Sequence, residues 1–370
     1  MKGGIFLLDE IDTTKFEDSD GIETYYCPNC RANLRFDIRS QSLKCDFCGT
    51  EVGVESNGTV DEYDFSNLEL LEKQSNWNTE AIAFQCESCG AELITESHET
   101  ATRCPYCDSS HVIQHQQFSG MRPEGIIPFR VAKDGANSLF SNWVSNQWLA
   151  PNNFKQAYLG MELCGIYIPY WTYDASVCSH YVGEGGVDAG ESTIWHPTSG
   201  YINHDFDDVL VCASTGLDKT MVKNIEPFNT KQALSYRSEY LSGFKAERYV
   251  VDAKEGYNLA KEQMVDVLRE IASEEIKKKY ERAIIEELES TYSHVHFKHL
   301  LLPVWVLTYT YKNKIYHCLI NGESGKINGR APVSPWKMTI LIISIILATL
   351  VFCFLFAFVK VMIQRTFAGY

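Results

Sequence analysis

Cys27-Pro28-Asn29-Cys30 and Cys45-Asp46-Phe47-Cys48, then Cys86-Glu87-Ser88-Cys89 and Cys104-Pro105-Tyr106-Cys107, decide how the N-terminal part of this chain folds. Within each set, fourteen residues separate the two CxxC pairs. Two residues between paired cysteines let a tight turn present both sulfurs to one ion, and fourteen leave room for a hairpin that brings the second pair across. The result is a closed Cys₄ site, which is structural because no coordination position remains for water or substrate. A module of about 30 residues buries too little surface to fold unaided, so metal binding supplies much of its folding free energy. The four cysteines of the first set map onto the second with one offset of 59 residues. Ala32 and Leu34 map onto Ala91 and Leu93 with that offset, and Phe47 onto Tyr106, which indicates a duplicated module. The expected ligands are Cys27, Cys30, Cys45 and Cys48 for one zinc ion and Cys86, Cys89, Cys104 and Cys107 for another, giving two structural zinc ions. A CxxC redox centre would need one low-pKa pair opening a helix in a βαβ context, which the matched doublets do not provide.

Outward from the cysteine pairs, charge limits what the ribbons touch. The 370 residues carry 33 Lys and Arg against 48 Asp and Glu, a formal net charge of -15. Ribbon 1, residues 23–53, sets Arg31, Arg35, Arg39 and Lys44 against Glu23, Asp37, Asp46 and Glu51. Ribbon 2, residues 82–114, sets Arg103 against Glu87, Glu92, Glu96, Glu99 and Asp108. The linker 54–81 adds Glu55, Asp61, Glu62, Asp64, Glu69, Glu72 and Glu80 against Lys73, and residues 1–22 form an acidic N-terminal segment. Four thiolates around one dication add further negative charge. Such a surface repels phosphate, so nucleic acid is a disfavoured partner and protein contact is the expected one.

The 22 residues from Met338 to Val359 carry no charge and are rich in Ile, Leu, Val and Phe. As a helix they span about 33 Å, enough to cross the hydrocarbon of a bilayer. Trp336 and Lys337 before the segment and Lys360 after it match interfacial anchoring. The expectation is a single-pass transmembrane helix at 338–359, contacting the lipid bilayer, with a short tail 360–370. Met1 to Glu10 lack the h-region of a secretory signal. Paired thiolates persist in reducing compartments, and Lys326, Arg330 and Lys337 precede the span. The bulk of the chain is therefore expected on the cytoplasmic side of the cell membrane.

Residues 115–335 read as an α+β domain. Ile126-Ile127-Pro128-Phe129 reads as a short strand, and 132–149 as a helix with Leu139, Phe140, Trp143 and Trp148 at near-helical spacing. Asn152 to Phe154 reads as a turn. Gly165 to Tyr173 and Ala175 to Val182 read as strands, with a turn at Gly183 to Gly186. Pro128-Phe129, a helix, Pro169-x-Trp171 and a Gly-rich turn recur in order as Pro227-Phe228, helices, Pro303-x-Trp305 and Asn321-Gly322. This order predicts an internal duplication with halves near 120–215 and 220–332. The second half carries a helical insertion at 252–290, in which Leu259, Met264, Val267, Leu268, Ile271, Ile284, Ile285 and Leu288 lie among Glu and Lys. The fold class is thus multi-domain: two small zinc ribbons, an α+β domain with an internal duplication, and one C-terminal transmembrane helix.

No convincing catalytic constellation stands out, and no small-molecule substrate is evident. Gly322 to Lys326 fails as a phosphate loop because its glycine spacing is wrong and Ile327 replaces the required Ser or Thr. His294 and His296 would share one face of an extended strand, with His299 beyond, but no carboxylate stands at ligand spacing, so they read as ordinary surface or interface histidines. His196 and His204, near Asp205, Asp207 and Asp208, are the acid–base candidates of the alternative in which the middle domain is an enzyme of unknown type. Cys164, Cys178, Cys212 and Cys318 read as core residues. Cys353 lies in the span.

Arg122-Pro123-x-x-Ile126-Ile127-Pro128-Phe129 and Gly165-x-Tyr167-x-Pro169-Tyr170-Trp171 follow the paired ribbons. Gly243-Phe244-x-Ala246-Glu247-x-Tyr249, Leu302-Pro303-x-Trp305 and Asn321-Gly322-x-x-Gly325-Lys326-x-x-Gly329 come next. In this order the chain, from about Tyr25 to the anchor, resembles the bacterial TFIIB-type zinc-ribbon-containing membrane proteins. Their ribbons have also earned them primosomal or helicase-like labels. The resemblance implies zinc at the eight paired cysteines and a membrane-attached protein. Some members resemble membrane partners of phage-shock and flotillin-type envelope-stress systems, acting by recruitment. The resemblance supplies no catalytic residues, and the helicase label finds no Walker motif here. The reading that follows is a membrane-anchored zinc-binding adaptor recruiting proteins to the cytosolic face. The alternatives are a membrane-tethered nucleic-acid-binding ribbon protein or the middle-domain enzyme.

Overall fold

The computed structural model describes residues 16–17, 23–55, 60–74, 82–89, 91–95, 104–107, 109, 112–115, 120–157, 163–312 and 314–367. The acidic segment 1–22, much of the linker, and Arg103, Glu96, Glu99 and Asp108 fall wholly or largely outside them. Ribbon 1 is a three-stranded antiparallel sheet of β1 (Leu34–Asp37), β2 (Ser42–Cys45) and β3 (Glu51–Gly53). Helix α1 (Leu68–Gln74) follows. Ribbon 2 contributes β4 (Ile82–Cys86), β5 (Glu92–Thr95) and β6 (Val112–His115). The α+β region then runs β7 (Gly125–Ile126), α2 (Lys133–Asn146), α3 (Asn152–Ala157), β8 (Cys164–Ala189), β9 (Ser192–Cys212), α4 (Lys219–Ile225) and β10 (Lys245–Glu247). Next come α5 (Ala253–Lys277), β11 (Arg282–Tyr311), β12 (Lys314–Asn321), β13 (Ile327–Gly329) and α6 (Pro335–Phe367).

Two very long antiparallel strands, β8 and β11, organise the domain. Each continues into a hairpin, β8 with β9 and β11 with β12. Their register sets Ile168 opposite Leu302, Pro169 opposite Leu301 and Tyr167 opposite Pro303. The centre of this sheet is covered on both faces, which is why Ile166 to Tyr173 and Phe297 to Leu307 read as nearly unbroken apolar runs. β10 joins the edge of β8 in parallel, and β5 pairs with β10. Ribbon 2 is therefore an extension of the main sheet rather than a free bead.

Beyond this centre, β8, β9 and the first half of β11 project as a three-stranded arm. Helix α5 packs along one face of it. Ala253, Gly256, Ala260, Met264, Leu268, Ala272 and Ile276 form its buried stripe against Val177, Tyr181, Ile202 and Phe206. The helix starts where Asp252 Oδ1 accepts from the Glu255 N–H at 2.7 Å. Trp171 Nε1 donates to Val251 O at 2.8 Å and the Tyr173 hydroxyl to Ala253 O at 2.6 Å.

Several expected boundaries move. Gly183 to Gly186 lie inside β8, and the turn of the hairpin falls at Gly190, with φ of 70°, and Glu191. The glycines are there for close approach: a Cβ on Gly183 would sit 2.1 Å from Ile284 O, and one on Gly185 would meet the Tyr280 ring at 2.2 Å. The insertion expected to be helical over 252–290 is helical only to Lys277, and Ile284, Ile285 and Leu288 belong to β11. A bulge is the reason. Gly183 pairs with Ile285 and Val182 with Glu287, so Ile285 and Leu288 share one face at a spacing of three, which mimics a helix in sequence. Helix α2 stops at Asn146, leaving Trp148 beyond it and exposed, and Asn152 to Phe154 open a short helix rather than a turn. Cys318 is buried and Cys164 and Cys212 are half-buried, but Cys178 is exposed because alternation turns it away from α5. Helix α6 is long and apolar enough over Pro335–Phe358 to cross a membrane, and none of its most apolar stretch is buried against the rest of the chain.

Candidate metal centres

Each of the four CxxC turns closes in the same way. The N–H of its first cysteine donates to the carbonyl five residues on: Cys27 to Ala32 at 2.7 Å, and Cys45 to Thr50, Cys86 to Ala91 and Cys104 to Ser109 at 2.9 Å. The chain reverses at once after the second cysteine, so Arg31 and Gly49 take φ of 64° and 73°. Strand pairing between Leu34 and Cys45 then carries one knuckle of ribbon 1 over the other.

The eight cysteines form two separate groups. Within each, the four sulfurs lie within 4.8 Å of one another. Cys27–Cys48 and Cys30–Cys45 are 3.4 Å apart, Cys86–Cys107 3.4 Å and Cys89–Cys104 3.6 Å. A tetrahedron with metal–sulfur bonds of about 2.3 Å has edges of about 3.8 Å, so both groups are close to the size a metal ion requires. All eight thiols are free rather than disulfide-bonded. Hydrogen bonds from Thr50 draw the Cys48 thiol down to about 6. At Cys86 burial is outweighed by the Cys89 and Ser88 backbone N–H groups, which bring it to about 7. Burial pushes Cys89 up to about 11. Four adjacent thiolates cannot coexist without a cation, and a divalent ion supplies that charge. Each site can hold one metal ion, and four protein ligands would leave that ion no open position for water or substrate.

The two knuckle tips have different surroundings, although the sequence makes them equivalents. Tyr106 is buried, and its hydroxyl donates to Glu247 Oε2 at 2.6 Å, while the Ser214 hydroxyl donates to Glu247 Oε1 at 2.8 Å. Complete burial raises the Glu247 carboxyl to about 7. The Thr308 hydroxyl donates to Pro105 O at 2.6 Å, fastening the same tip to β11. Phe47, the counterpart of Tyr106, is 85% exposed. Ribbon 1 instead docks through its strands: Phe36 N–H donates to Ser242 O at 3.0 Å, Ser242 Oγ to Leu34 O at 2.7 Å, and Phe36 packs edge-on against Tyr240 at 5.2 Å. Ser214 was missed in the sequence and Glu247 was quoted only within the Gly243–Tyr249 motif, without a role, because a lone acid and a lone serine give no periodic signal.

The histidine candidates do not assemble. His196 and His204 lie on one strand about 26 Å apart, His196 against Tyr280 and His204 against Phe206. His294 has φ of 50°, which breaks the alternation that would have aligned it with His296. His299 is buried between Trp171 and Tyr249, and burial lowers it to about 3, so it stays neutral. Gly322 to Lys326 is the turn between β12 and β13, where Asn321 Oδ1 accepts from the Glu323 and Ser324 N–H groups at 2.9 Å. Asp207 and Asp208 instead cluster with Asp174 across the bulge, where Lys298 Nζ bonds Asp208 Oδ1 and Glu62 Oε1 at 2.7 Å each. Lys298, together with Lys231, which bonds Asp207 Oδ2 at 3.0 Å, offsets part of the cluster's charge.

No protein-family model matches the chain, and no solved structure matches it. The chain is similar to the uncharacterized protein YdjG of Bacillus subtilis (strain 168), with 28% identity over 326 residues that cover 86% of this chain and 92% of YdjG.

Proposed function

We propose that the chain is a single-pass, membrane-anchored zinc-binding adaptor that recruits proteins to the cytosolic face of the membrane. The observation that carries this reading is the contrast between the two knuckle tips. In ribbon 2 the aromatic is folded into the domain, whereas in ribbon 1 Phe47 stands 85% exposed on a module held firmly by its opposite edge. An aromatic presented on a rigid support is the kind of group that anchors protein interfaces. Zinc is the ion favoured at both sites, because tetrahedral four-sulfur sets select it, with iron as the competing occupant. Helix α6 is the anchor. The acidic balance of the chain disfavours nucleic acid, and in ribbon 1 Arg39 is already paired with Asp134 at 2.9 Å.

Two finer points belong to the same proposal. The antiparallel register about Ile168 and Leu302 sets the two Pro-x-Trp motifs symmetrically, which supports an ancestral duplication of the α+β halves. The likeness to TFIIB-type ribbon membrane proteins supports a role in envelope stress, as an assembly point and without an enzymatic activity of its own. The test is crosslinking in intact cells followed by purification from detergent-solubilised membranes. Wild-type chain is expected to bring down a defined protein that Phe47→Ala loses. Recovery of the bait alone under several crosslinkers, or of nucleic acid with steep salt dependence, would count against the adaptor.

A further inference from the structure

Three stretches of chain converge where α6 leaves the α+β domain. The Ser334 N–H donates to Leu149 O at 2.9 Å. Lys337 Nζ bonds Ala150 O at 2.7 Å, Asn152 Oδ1 at 2.9 Å and Trp148 O at 3.2 Å. The neighbouring Asn153 Oδ1 accepts from the Tyr311 hydroxyl at 3.3 Å, at the tip of the β11–β12 hairpin. Adjacent Cα atoms are about 3.8 Å apart, so α3 holds the hairpin tip and the start of α6 side by side. Beneath them Phe154 is buried against Tyr309, with ring centroids 5.1 Å apart. The first turn of α6 is thus built into the domain, and the height of the hairpin relative to the apolar helix is fixed.

The surface at this end differs from the rest of the protein. Trp148 is 60% exposed, Trp336 73% and Ile315 48%, and Lys312 and Lys314 are exposed on the hairpin tip. No Asp or Glu occurs in residues 141–157, 308–321 or 326–337, in a chain that carries 48 of them. Exposed Trp beside an apolar helix fits the headgroup layer, and lysines at that depth are attracted to anionic lipid. A protein partner would have to share this acid-free surface with the bilayer that α6 enters.

We propose that this end of the domain is itself a lipid-binding surface for an anionic bilayer. Trp148 and Trp336 lie in the headgroup layer, and Lys312 and Lys314 contact lipid phosphates. The proposal rests on reading α6 as a membrane span and adds that the domain sits against the bilayer instead of swinging from a tether. A seated domain would present the Phe47 knuckle in a fixed orientation.

The test uses the full, metal-loaded chain in nanodiscs of phosphatidylcholine, with and without added phosphatidylglycerol. Amide hydrogen exchange is read over residues 311–316. Each lysine near an anionic leaflet favours docking by about fivefold, so exchange there should slow by up to about thirtyfold in the anionic discs. Lys312→Glu with Lys314→Glu should abolish that difference while leaving metal content and exchange in α5 unchanged. Brominated lipid should quench tryptophan emission less in Trp148→Phe than in wild type. A chain that floats with vesicles but exchanges equally in both lipids, with no effect of the charge reversals, overturns the docking proposal and leaves the anchor standing. A chain that fails to float with vesicles overturns the anchor reading beneath it.

Discussion

Replacing Tyr106 by Phe removes one hydroxyl and almost no volume, so its cost isolates the bond between ribbon 2 and the core. That hydroxyl donates to the fully buried Glu247 carboxyl at 2.6 Å, leaving the Ser214 hydroxyl at 2.8 Å and the Gly216 backbone N–H as its donors once it is gone. Burial raises the Glu247 carboxyl from 4.5 to about 7. A raised carboxyl pKa means that the folded state holds its proton more tightly than the unfolded one. Its favourable contribution is complete below about pH 4.5 and is lost as pH rises through about 7, a swing of about 3 kcal/mol. The Tyr106 hydroxyl mainly stabilises the ionised form, so its loss should cost about 2 kcal/mol at pH 8.5 and about 1 kcal/mol or less at pH 6. Denaturant unfolding in micelles, followed by tryptophan emission, measures both values, with metal content checked at each pH. Glu247→Gln serves as the control whose stability should vary less across the same range. Equal losses at the two pH values, or none at either, would refute the claim that ribbon 2 is keyed into the domain through a buried carboxylate.

Cys45→Ser should lower bound zinc from two ions per chain to one, with ribbon 2 unaffected, because the two sulfur groups are separate; metal analysis of the purified protein measures this. Leu268→Ala, at the centre of the buried stripe of α5, should cost about 2–5 kcal/mol in the same denaturation assay. Gly183→Ala should loosen the arm without touching either metal site, since its Cβ would press on Ile284 O at 2.1 Å. Faster amide exchange confined to the outer parts of β8 and β11 is the expected signature. Phe47→Ala should change stability by less than about 0.5 kcal/mol, as exposed positions do.

The two four-cysteine groups were legible because ligation imposes a spacing that nothing else in the chain imitates, and an uncharged run such as Met338 to Val359 is equally plain. The arm was not. Periodicity assumes a regular element, and the bulge at Glu286 and Glu287 gave Ile285 and Leu288 the spacing of a helix. Gly183, Gly185 and Gly186 are turn residues by composition, yet their role is to let Ile284 O, Tyr280 and Trp195 come close, a tertiary fact with no local signal. The unequal fates of Phe47 and Tyr106 were hidden for the same reason. Matched offsets made them look alike, and the tertiary contacts with Glu247 and Thr308 separate them.

A photo-crosslinking amino acid in place of Phe47, in cells carrying the full chain, tests the central claim most directly. The account predicts a discrete protein adduct in the membrane fraction that disappears when Cys45→Ser removes the first metal site. Adducts to nucleic acid, or no adduct from position 47 while the chain is membrane-bound and carries both metal ions, would contradict it.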